Sequence, residues 1–589
     1  MSDTVKVTVI TGQNQIELSM PEEEKHSNKS IVVTHPTGET LMSTLLNEKL
    51  IDGSFCGGRG DCGRCVVQFV SGATLPTGIE RSVMEPEELR SGYRLACMAR
   101  PKQDCIIRLA LHFSEETDII TYADLMIELS EKIDYIGQNN AASVASQRLK
   151  SKTEGVEEAA SCIMAVDLGT TTIAMQLVET ASGRIVDTCV RMNPQRRFGA
   201  DVLSRIQAAI SGYAQELKDC LWQVLEEGLN QFMQTLLQSG RQTESGPEPG
   251  RTNVSSDISL ISIAGNTTME HLLMGLPTVS LGQSPFTPVN IGLQKTEWRG
   301  IPVYVLPGIS TFVGGDIVAG LYACGMLENG RVCTDRPDSL EKSCNRNHSE
   351  KPESMTLLID LGTNGEMVLQ KGDRMLAAAT AAGPAFEGGV GNAVIGSDMV
   401  AIADALLSQG IMDESGLLKE PYFTEGVSIK KKFTFTPGKD KQSLYMAKED
   451  IRSLQMAKAA VRTGIELLTK RLYYDEKRDR RKEKTDAGQQ IGRAETEAMQ
   501  IYLAGGFGYY LNVDAAVRTG LLPKSMQGRI RAVGNTSLAG AYLLGKALWL
   551  GMLEEETLHK KLAQIESINL ANQEGFDRHY ISNMNFEMK

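Results

Sequence analysis

The sequence contains no uninterrupted apolar run of the length that a membrane span needs. Its most apolar late stretch, Ser537–Leu553, is rich in glycine and is interrupted by Lys546, which favours a buried helix. The first twelve residues, MSDTVKVTVITG, do not combine a basic segment with an apolar one, as a secretory signal would. These absences predict a cytoplasmic protein that does not contact a membrane.

Concentrated positive charge is also missing. The 589 residues include 61 basic and 73 acidic side chains, for a net charge of −12, so nucleic acid is not expected as a partner. The one basic run, DRRKEK, fits a solvated loop better than a binding site for an acidic partner. With 41% hydrophobic and 23% charged residues, the composition is typical of a soluble globular chain with several domains.

Eleven cysteines are too few for a disulfide framework in a chain of this length. Seven lack the spacing of metal ligands and are expected to be reduced thiols in the core or in loops: Cys105, Cys162, Cys189, Cys220, Cys324, Cys333 and Cys344. The C-terminal segment from Ser567 to Lys589 contains no cysteine. Any metal cluster is therefore expected near the N-terminus.

Cys56, Cys62, Cys65 and Cys97 follow the spacing C-x5-C-x2-C-x31-C. The glycines between the first three let a backbone wrap closely around inorganic sulfides and turn its N–H groups toward them. A structural zinc site would need a second short ligand pair, and Cys97 has no neighbouring cysteine or histidine. We therefore predict that these four thiolates bind a [2Fe–2S] cluster.

The segments around these cysteines have the periodicity of a small mixed fold. Val5–Thr11, Ser30–Pro36 and Val66–Gly72 are predicted strands, and Thr40–Leu50 is a predicted amphipathic helix. The region resembles a β-grasp ferredoxin domain, and the long first cysteine gap resembles the adrenodoxin-like branch. We assign residues 1–113 to this domain and the polar residues 114–161 to a linker.

Asp-Leu-Gly-Thr occurs twice, in AVDLGTTT (Ala165–Thr172) and in LLIDLGTNGE (Leu357–Glu366). In each copy two apolar runs flank the motif, which predicts a strand, a tight turn and a second strand. Glycine in the turn permits positive φ and close approach of a ligand, and the turn N–H groups suit phosphate. The aspartates, Asp167 and Asp360, are candidate catalytic groups that act through Mg²⁺ or on a water.

Each motif is followed later by an apolar strand, a glycine turn and a helix start, in Ile258–Leu273 and in Ala498–Leu511. A repeated unit of this kind predicts two related α/β lobes around a cleft, residues 162–354 and 355–589. These motifs resemble the phosphate and adenosine motifs of the acetate and sugar kinase/Hsc70/actin superfamily. The resemblance implies a ribonuclease-H-like, actin-like ATPase fold. It also implies that ATP is bound by Gly169, Thr170, Thr171, Gly265, Asn266, Thr267, Gly362, Thr363, Asn364, Gly505, Gly506 and Phe507.

Further motifs stand in a characteristic order: NPQRRFGADV, GNTTM, GGDI, DLGTNGE, AAGPAFEGG and LAGGFG. Within them Asp201 is a candidate helix cap, and Asp316 and Glu387 are acids without an assigned role. In this order the motifs resemble the C-terminal region of the reductive activators of corrinoid-dependent enzymes. The fold class expected is thus α/β and multidomain.

That resemblance implies ATP-dependent return of a cobalamin from Co(II) to Co(I), with a [2Fe–2S] cluster, ATP and Mg²⁺ as cofactors. It implies two partners, a corrinoid protein of a methyltransferase system and a low-potential electron donor, and it leaves a homodimer open. Two alternatives remain at this stage. The first is a sugar or acetate kinase, which would not explain the presence of the ferredoxin region. The second is a redox-switched, chaperone-type ATPase, in which the cluster would act as a sensor.

Overall fold

The computed structural model describes a defined set of residues: 4–11, 29–48, 50, 65–84, 86–109, 161–199, 201–238, 257–327, 355–362, 364–380, 396–430, 434–438, 444–480 and 499–587. Contacts within this set form two compact units. The first unit falls within residues 1–117, 192–225 and 272–283, and the second within residues 118–191, 226–271 and 284–589. The predicted linker, apart from its last residue Ser161, and Glu387 lie outside the described residues.

The N-terminal sheet of the first unit has five strands in the order β2-β1-β5-β3-β4. Their bounds are β1 Thr4–Thr11, β2 Lys29–Pro36, β3 Val66–Ser71, β4 Tyr93–Leu95 and β5 Cys105–Leu109. The accompanying helices are α1 Leu41–Asn47, α2 Gly78–Val83 and α3 Pro86–Arg90. Because β1 pairs antiparallel with β2 but parallel with β5, the sheet is mixed, which confirms the β-grasp prediction.

Alternating apolar side chains explain why this sheet is stable. Val7 and Val9 of β1 and Ile107 of β5 are fully buried, and α1 adds Leu41 and Leu45 to the same core. The first N–H groups of α1 find their acceptors in the turn that contains Cys97, since Leu41 N bonds to Ala99 O (2.8 Å) and Met42 N to Ala96 O (2.9 Å). Helix α1 is therefore fixed to the cysteine turn.

The remainder of the first unit is helical. It includes α4 (Val202–Ala208), a π-helical turn (Ala209–Tyr213) and the first half of α5 (Ala214–Gln238). Asp201 accepts a hydrogen bond from Ser204 N at 2.7 Å and so caps α4, as predicted. The second unit contains the other half of α5, and α6 (Thr267–Met274) likewise continues from the second unit into the first.

Two six-stranded sheets dominate the second unit, in the orders β10-β11-β9-β6-β7-β8 and β19-β18-β12-β13-β14-β20. The first contains β6 Cys162–Leu168, β7 Thr172–Glu179, β8 Ile185–Met192, β9 Ile258–Gly265, β10 Gln294–Trp298 and β11 Ile301–Val305. The second contains β12 Met355–Leu361, β13 Gly365–Lys371, β14 Arg374–Thr380, β18 Met499–Ala504, β19 Ile530–Gly534 and β20 Glu566–Ser567. In both sheets an antiparallel hairpin is followed by a parallel strand next to its first member, which confirms the predicted repeat.

Helices and one small sheet complete the second unit. The small antiparallel sheet has β15 Val427–Lys430, β16 Thr434–Pro437 and β17 Leu444–Met446. The helices are α7 Gly315–Ala323, α8 Gly396–Ser408, α9 Tyr422–Glu425, α10 Lys448–Arg480, α11 Gly505–Tyr510, α12 Val513–Arg518, α13 Thr536–Trp549, α14 Glu555–Leu562 and α15 Phe576–Ser582. Among the described residues, no helix is both long and apolar enough to cross a membrane.

Helices α7 and α13 pack closely against each other. A Cβ on Gly540 would overlap the backbone of Ala319, and one on Gly320 would lie 2.9 Å from Thr536 Oγ1. Two glycines thus bring the helix axes together, and α13 also contacts β6 and β9. The apolar stretch Ser537–Leu553 therefore begins with a buried helix, in agreement with the sequence.

Candidate active site and cluster site

The first Asp-Leu-Gly-Thr motif closes the hairpin between β6 and β7. Leu168 pairs with Ile173 at the end of the ladder, and the turn lies between them. A Cβ on Gly169 would lie 2.5 Å from the carbonyl oxygen of Thr172, so the turn has no room for a side chain. Gly169 does not have a positive φ, and crowding rather than a left-handed backbone is the reason for glycine here.

The second motif forms the equivalent hairpin between β12 and β13. Leu361 pairs with Gly365, and Gly362 N donates to Asn364 O at 3.0 Å across the turn. Thr363 lies outside the described residues. Asp360 stands opposite Glu366 in the ladder, so that this hairpin has an acidic side chain on each of its strands.

Five carboxyl groups from five elements influence one another: Asp167 of β6, Glu270 of α6, Asp316 of α7, Asp360 of β12 and Glu366 of β13. The three aspartates are partly exposed, whereas Glu270 and Glu366 are buried. Asp167 and Asp360 are 193 residues apart in sequence. The two hairpins nevertheless contribute to one acidic cluster.

Burial is the main cause that raises each pKa in the cluster, and mutual repulsion adds to it. Burial and the charge of Asp167 raise the pKa of Asp316 to about 7, and burial with the charges of Asp316 and Asp167 raises the pKa of Asp360 to about 7. The pKa values of Glu270 and Glu366 are raised well above the ordinary value for the same reasons. An added cation would relieve this repulsion.

The cluster fits Mg²⁺ held jointly with phosphate better than a metal held by protein alone. In the described part of the chain, no group of three or more His, Cys, Asp or Glu side chains is arranged to bind a metal ion. Mg²⁺ commonly keeps several waters and takes only one or two carboxylates, with phosphate oxygens as further ligands. Glu270 is buried beside Asp316, and burial and the charge of Asp316 raise its pKa well above the ordinary value, which backbone hydrogen bonds from Gly315 and Gly265 oppose.

Each of the two carboxylate oxygens of Asp167 accepts a hydrogen bond from a side chain. Asn535 Nδ2 donates to Oδ2 and Ser537 Oγ donates to Oδ1, each at 2.8 Å. Burial raises the pKa of Asp167, and these two hydrogen bonds oppose the rise. Sequence reasoning missed both donors, and no local pattern pairs residues so far apart.

The first glycine turn lies beside the first hairpin. Asn266 Nδ2 donates to Thr170 Oγ1 at 3.0 Å, and Asn266 Oδ1 accepts from Met269 N at the start of α6. A Cβ on Gly265 would lie 3.0 Å from Leu168 O. The hydroxyl of Thr267 is buried and donates to Ser310 O at 2.7 Å, so in this structure it serves the fold.

The second glycine turn meets the second hairpin. Gly505 has φ +84°, and a Cβ there would lie 2.5 Å from Asp360 Oδ1 and 2.6 Å from Leu361 O. Gly506 is different, because no atom of the described residues outside its own helix backbone lies within 4 Å of the position of its Cβ. Phe507 is buried in the core of the second sheet. In the described part of the chain, open space thus adjoins Gly506.

The predicted cluster site is partly described. Cys65 and Cys97 are both buried, and their Sγ atoms lie 3.2 Å apart; a hydrogen bond that the Cys65 thiolate accepts from Cys97 lowers the pKa of Cys65 to about 7. Cys56 and Cys62 lie outside the described residues. Two soft sulfur donors at this separation, one of them easily deprotonated, fit an iron–sulfur cluster.

A buried carboxylate supports the cysteine turn. Glu80 Oε1 accepts from Leu95 N at 2.9 Å, and Glu80 Oε2 accepts from Thr77 N at 2.7 Å in a capping box at the start of α2. Glu80 is fully buried and lies beside the strand that leads to Cys97. Sequence reasoning assigned no role to Glu80, although the T-x-x-E pattern of a capping box is visible.

Three family models match the chain. A model of the RACo middle region matches residues 162–329, and a model of the C-terminal domain of RACo, the ASKHA domain, matches residues 354–393, 391–478 and 489–589. A model of the 2Fe-2S iron-sulfur cluster binding domain matches residues 25–102. The models follow the same order as the predicted ferredoxin region and the two predicted lobes.

Individual proteins are also similar to this chain. The corrinoid activation enzyme RamQ of Eubacterium limosum is 26% identical over 484 residues, which cover 72% of this chain and 70% of that protein. A component of the Na(+)-translocating NADH-quinone reductase of Haemophilus influenzae (strain PittEE) is 37% identical over 79 residues, only 13% of this chain and 19% of that protein. The solved structure of a reductive activator for corrinoid, iron-sulfur protein shares the fold, with a TM-score of 0.54, 22% identity and coverage of 99% of this chain and 98% of its own. The chain therefore belongs to the RACo family of corrinoid reductive activators, and it combines their ASKHA domain with an N-terminal 2Fe-2S iron-sulfur cluster binding domain.

Proposed function

We propose that this protein reactivates a corrinoid protein by reducing its cobalamin from Co(II) to Co(I), at the expense of ATP hydrolysis. The observation that carries the proposal is the joint acidic cluster, in which Asp167 of one hairpin and Asp360 of the other repel each other and Asp316. Two phosphate-binding hairpins that share one electrostatic site suit a triphosphate with its metal ion.

In this proposal the triphosphate lies between the hairpins. The turn N–H group of Gly169 and the hydroxyls of Thr170 and Thr171 bind phosphate oxygens, and Gly362, which has no side chain, lets the second turn approach them closely. When bound, Mg²⁺ neutralises phosphate charge and polarises the phosphoryl group. Asp167, Asp360 and Asp316 hold the metal's water shell or orient the attacking water.

The other residues predicted to bind ATP lie around the triphosphate and the adenosine. Thr363, Asn364, Gly265 and Asn266 border the phosphates, Gly505, Gly506 and Phe507 adjoin the adenosine, and Thr267 supports the first glycine turn through Ser310 O. In hydrolysis, the water oxygen bonds to the γ-phosphorus while the bond to the bridging oxygen breaks and ADP leaves with that electron pair. The water's proton passes to a carboxylate or to the departing phosphate.

The N-terminal domain supplies the electron. Cys56, Cys62, Cys65 and Cys97 would hold the [2Fe–2S] cluster, which when bound would pass one electron at a time at a potential of about −400 mV. Reduction of Co(II) to Co(I) takes one electron and is uphill from such a donor. ATP can promote it only if a nucleotide state prefers the corrinoid protein in a geometry that accepts the electron.

The experiment mixes reduced protein with a Co(II) corrinoid protein in a stopped-flow instrument and follows the Co(I) absorption band. We expect Co(I) with MgATP and little without it. Asp167→Ala and Asp360→Ala should each lower ATP turnover by at least about tenfold, as losses of a single catalytic group do, while leaving the cluster spectrum unchanged. The matched control is Asp373→Ala, because Asp373 is an exposed carboxylate in the turn after β13.

Two outcomes would contradict the proposal. If the two variants hydrolyse ATP at the parental rate, the acidic cluster is not the ATPase site. If ATP is hydrolysed but no Co(I) forms with any corrinoid protein, the cluster acts as a redox sensor of a chaperone-type ATPase.

A further inference from the structure

Asp167 receives two hydrogen bonds from a distant part of the chain. Asn535 and Ser537 are 368 and 370 residues away in sequence, and they lie at the start of α13, which follows β19 of the second sheet. Asp167 itself is the penultimate residue of β6 in the first sheet. The two donors therefore connect the predicted second lobe to the aspartate of the first hairpin.

The orientation of the Asn535 amide is fixed by its two partners. Its Oδ1 accepts from Leu538 N at 2.8 Å and so caps α13, while its Nδ2 donates to Asp167. A flipped amide would set its NH₂ group against the N–H of Leu538 and its oxygen against a carboxylate. One side chain thus begins the helix and binds the aspartate.

Ser537 acts from the first turn of the same helix. It is 5% exposed, and its hydroxyl lies 2.8 Å from Asp167 Oδ1. The two donors together engage both carboxylate oxygens, which prevents rotation of the carboxylate plane. Charged acceptors make hydrogen bonds about twice as strong as neutral ones, so the orientation is well defined.

The position of these donors is itself fixed by helix packing. Near its start α13 contacts α7, where Gly540 faces the backbone of Ala319 and Thr536 faces Gly320. Helix α7 has Asp316 in its first turn. The packing of α13 on α7 therefore fixes the position of the start of α13 relative to Asp316 and Asp167.

We propose that Asn535 and Ser537 are positioning residues that hold the Asp167 carboxylate in the orientation needed for ATP hydrolysis. The inference rests on the proposed ATPase function of the acidic cluster and adds to it two residues that do not touch the nucleotide. Because they act through Asp167, they govern turnover and not the affinity for ATP. A displacement of about 1 Å at a reacting group is enough to cost about a hundredfold in rate.

The test uses the full-length protein and separates positioning from helix capping. Asn535→Ser keeps a side chain that caps helices well but is too short to reach Asp167, and Ser537→Ala removes the second donor. We expect each variant to lower kcat about tenfold, with KM for ATP within about twofold of the parent, and to melt at a somewhat lower temperature because a hydrogen bond to a carboxylate is lost. Asn512→Ala is the control, since Asn512 caps α12 through Ala515 N at 3.0 Å without contacting the acidic cluster.

A double-mutant cycle gives the decisive measurement. In the Asp167→Ala background, measured under single-turnover conditions, neither Asn535→Ser nor Ser537→Ala should lower the residual rate further. The same fold loss in both backgrounds, or parental kcat in the single variants, would overturn the positioning role while leaving the proposed ATPase site intact. Parental turnover in Asp167→Ala alone would instead overturn the ATPase site and the positioning role with it. If Ser537→Ala proves too unstable to assay, the double-mutant cycle with Asn535→Ser alone tests the positioning role.

Discussion

Gly506→Val should separate nucleotide binding from folding. No atom of the described protein lies within 4 Å of a Cβ on Gly506, and Gly506 does not have a positive φ. The free energy of unfolding should therefore change by no more than about 0.5 kcal/mol. If adenosine occupies the adjoining space, the valine side chain intrudes into a filled site, which costs about 1–3 kcal/mol. That range corresponds to about a 5- to 150-fold rise in the Kd for MgATP.

Gly505→Ala should behave in the opposite way. Its φ of +84° strains an alanine by about 1–2 kcal/mol, and the new Cβ would lie 2.5 Å from Asp360 Oδ1. We expect a lower melting temperature together with slower ATP turnover. Gly528→Ala is the matched control, because Gly528 has φ +77° but no atom of the described residues lies within 4 Å of the position of its Cβ, so this variant reports backbone strain alone.

Calorimetric titration with a non-hydrolysable ATP analogue, together with thermal melts, checks both variants. A parental Kd in Gly506→Val would refute the assignment of this turn to adenosine. A large loss of stability in the same variant would refute the view that the space beside Gly506 is free of protein.

Two further predictions concern the other parts of the molecule. Protein purified without oxygen should contain about two irons and about two acid-labile sulfides per chain. Cys97→Ala should lose both without losing MgATP binding, whereas Cys105→Ala should keep them; about one zinc and no sulfide would contradict the cluster. Burial lowers the pKa of Lys458 from 10.5 to about 8, so between these pH values the unfolded chain holds a proton that the native chain has released. The free energy of unfolding should therefore rise with pH in this window, by up to about 3 kcal/mol, and Lys458→Met should abolish the rise in urea titrations. An equal rise in parent and variant would mean that another group is responsible.

Much of the fold could be predicted because its signals are local. Each Asp-Leu-Gly-Thr hairpin is specified by two apolar runs around a glycine turn, and each later strand ends in a glycine turn that begins a helix. The cap of α4 was equally visible, since Asp201 precedes the apolar periodicity of Val202–Ala208.

The site could be predicted only in part because its remaining residues are brought together by tertiary packing. Glu270 follows an uncharged turn and resembles an ordinary surface acid, yet α6 buries it beside Gly315. Glu366 belongs to a recognised motif, but its pairing opposite Asp360 depends on the register of the hairpin. Asn535 and Ser537 reach Asp167 across 368 and 370 residues, and no periodicity in one sequence encodes such a contact.

Helix α13 joins the two sheets of the second unit into one unit of unfolding. One hydrophobic core includes Ile163 and Leu260 of the first sheet, Leu358 and Val368 of the second, and Tyr542 of α13. A fragment that ended before residue 355 would lack α13 and would expose the faces of β6 and β9 that the helix covers. The two sheets, although built as repeats, therefore constitute a single cooperative unit of unfolding, whereas the N-terminal sheet has a separate core of its own.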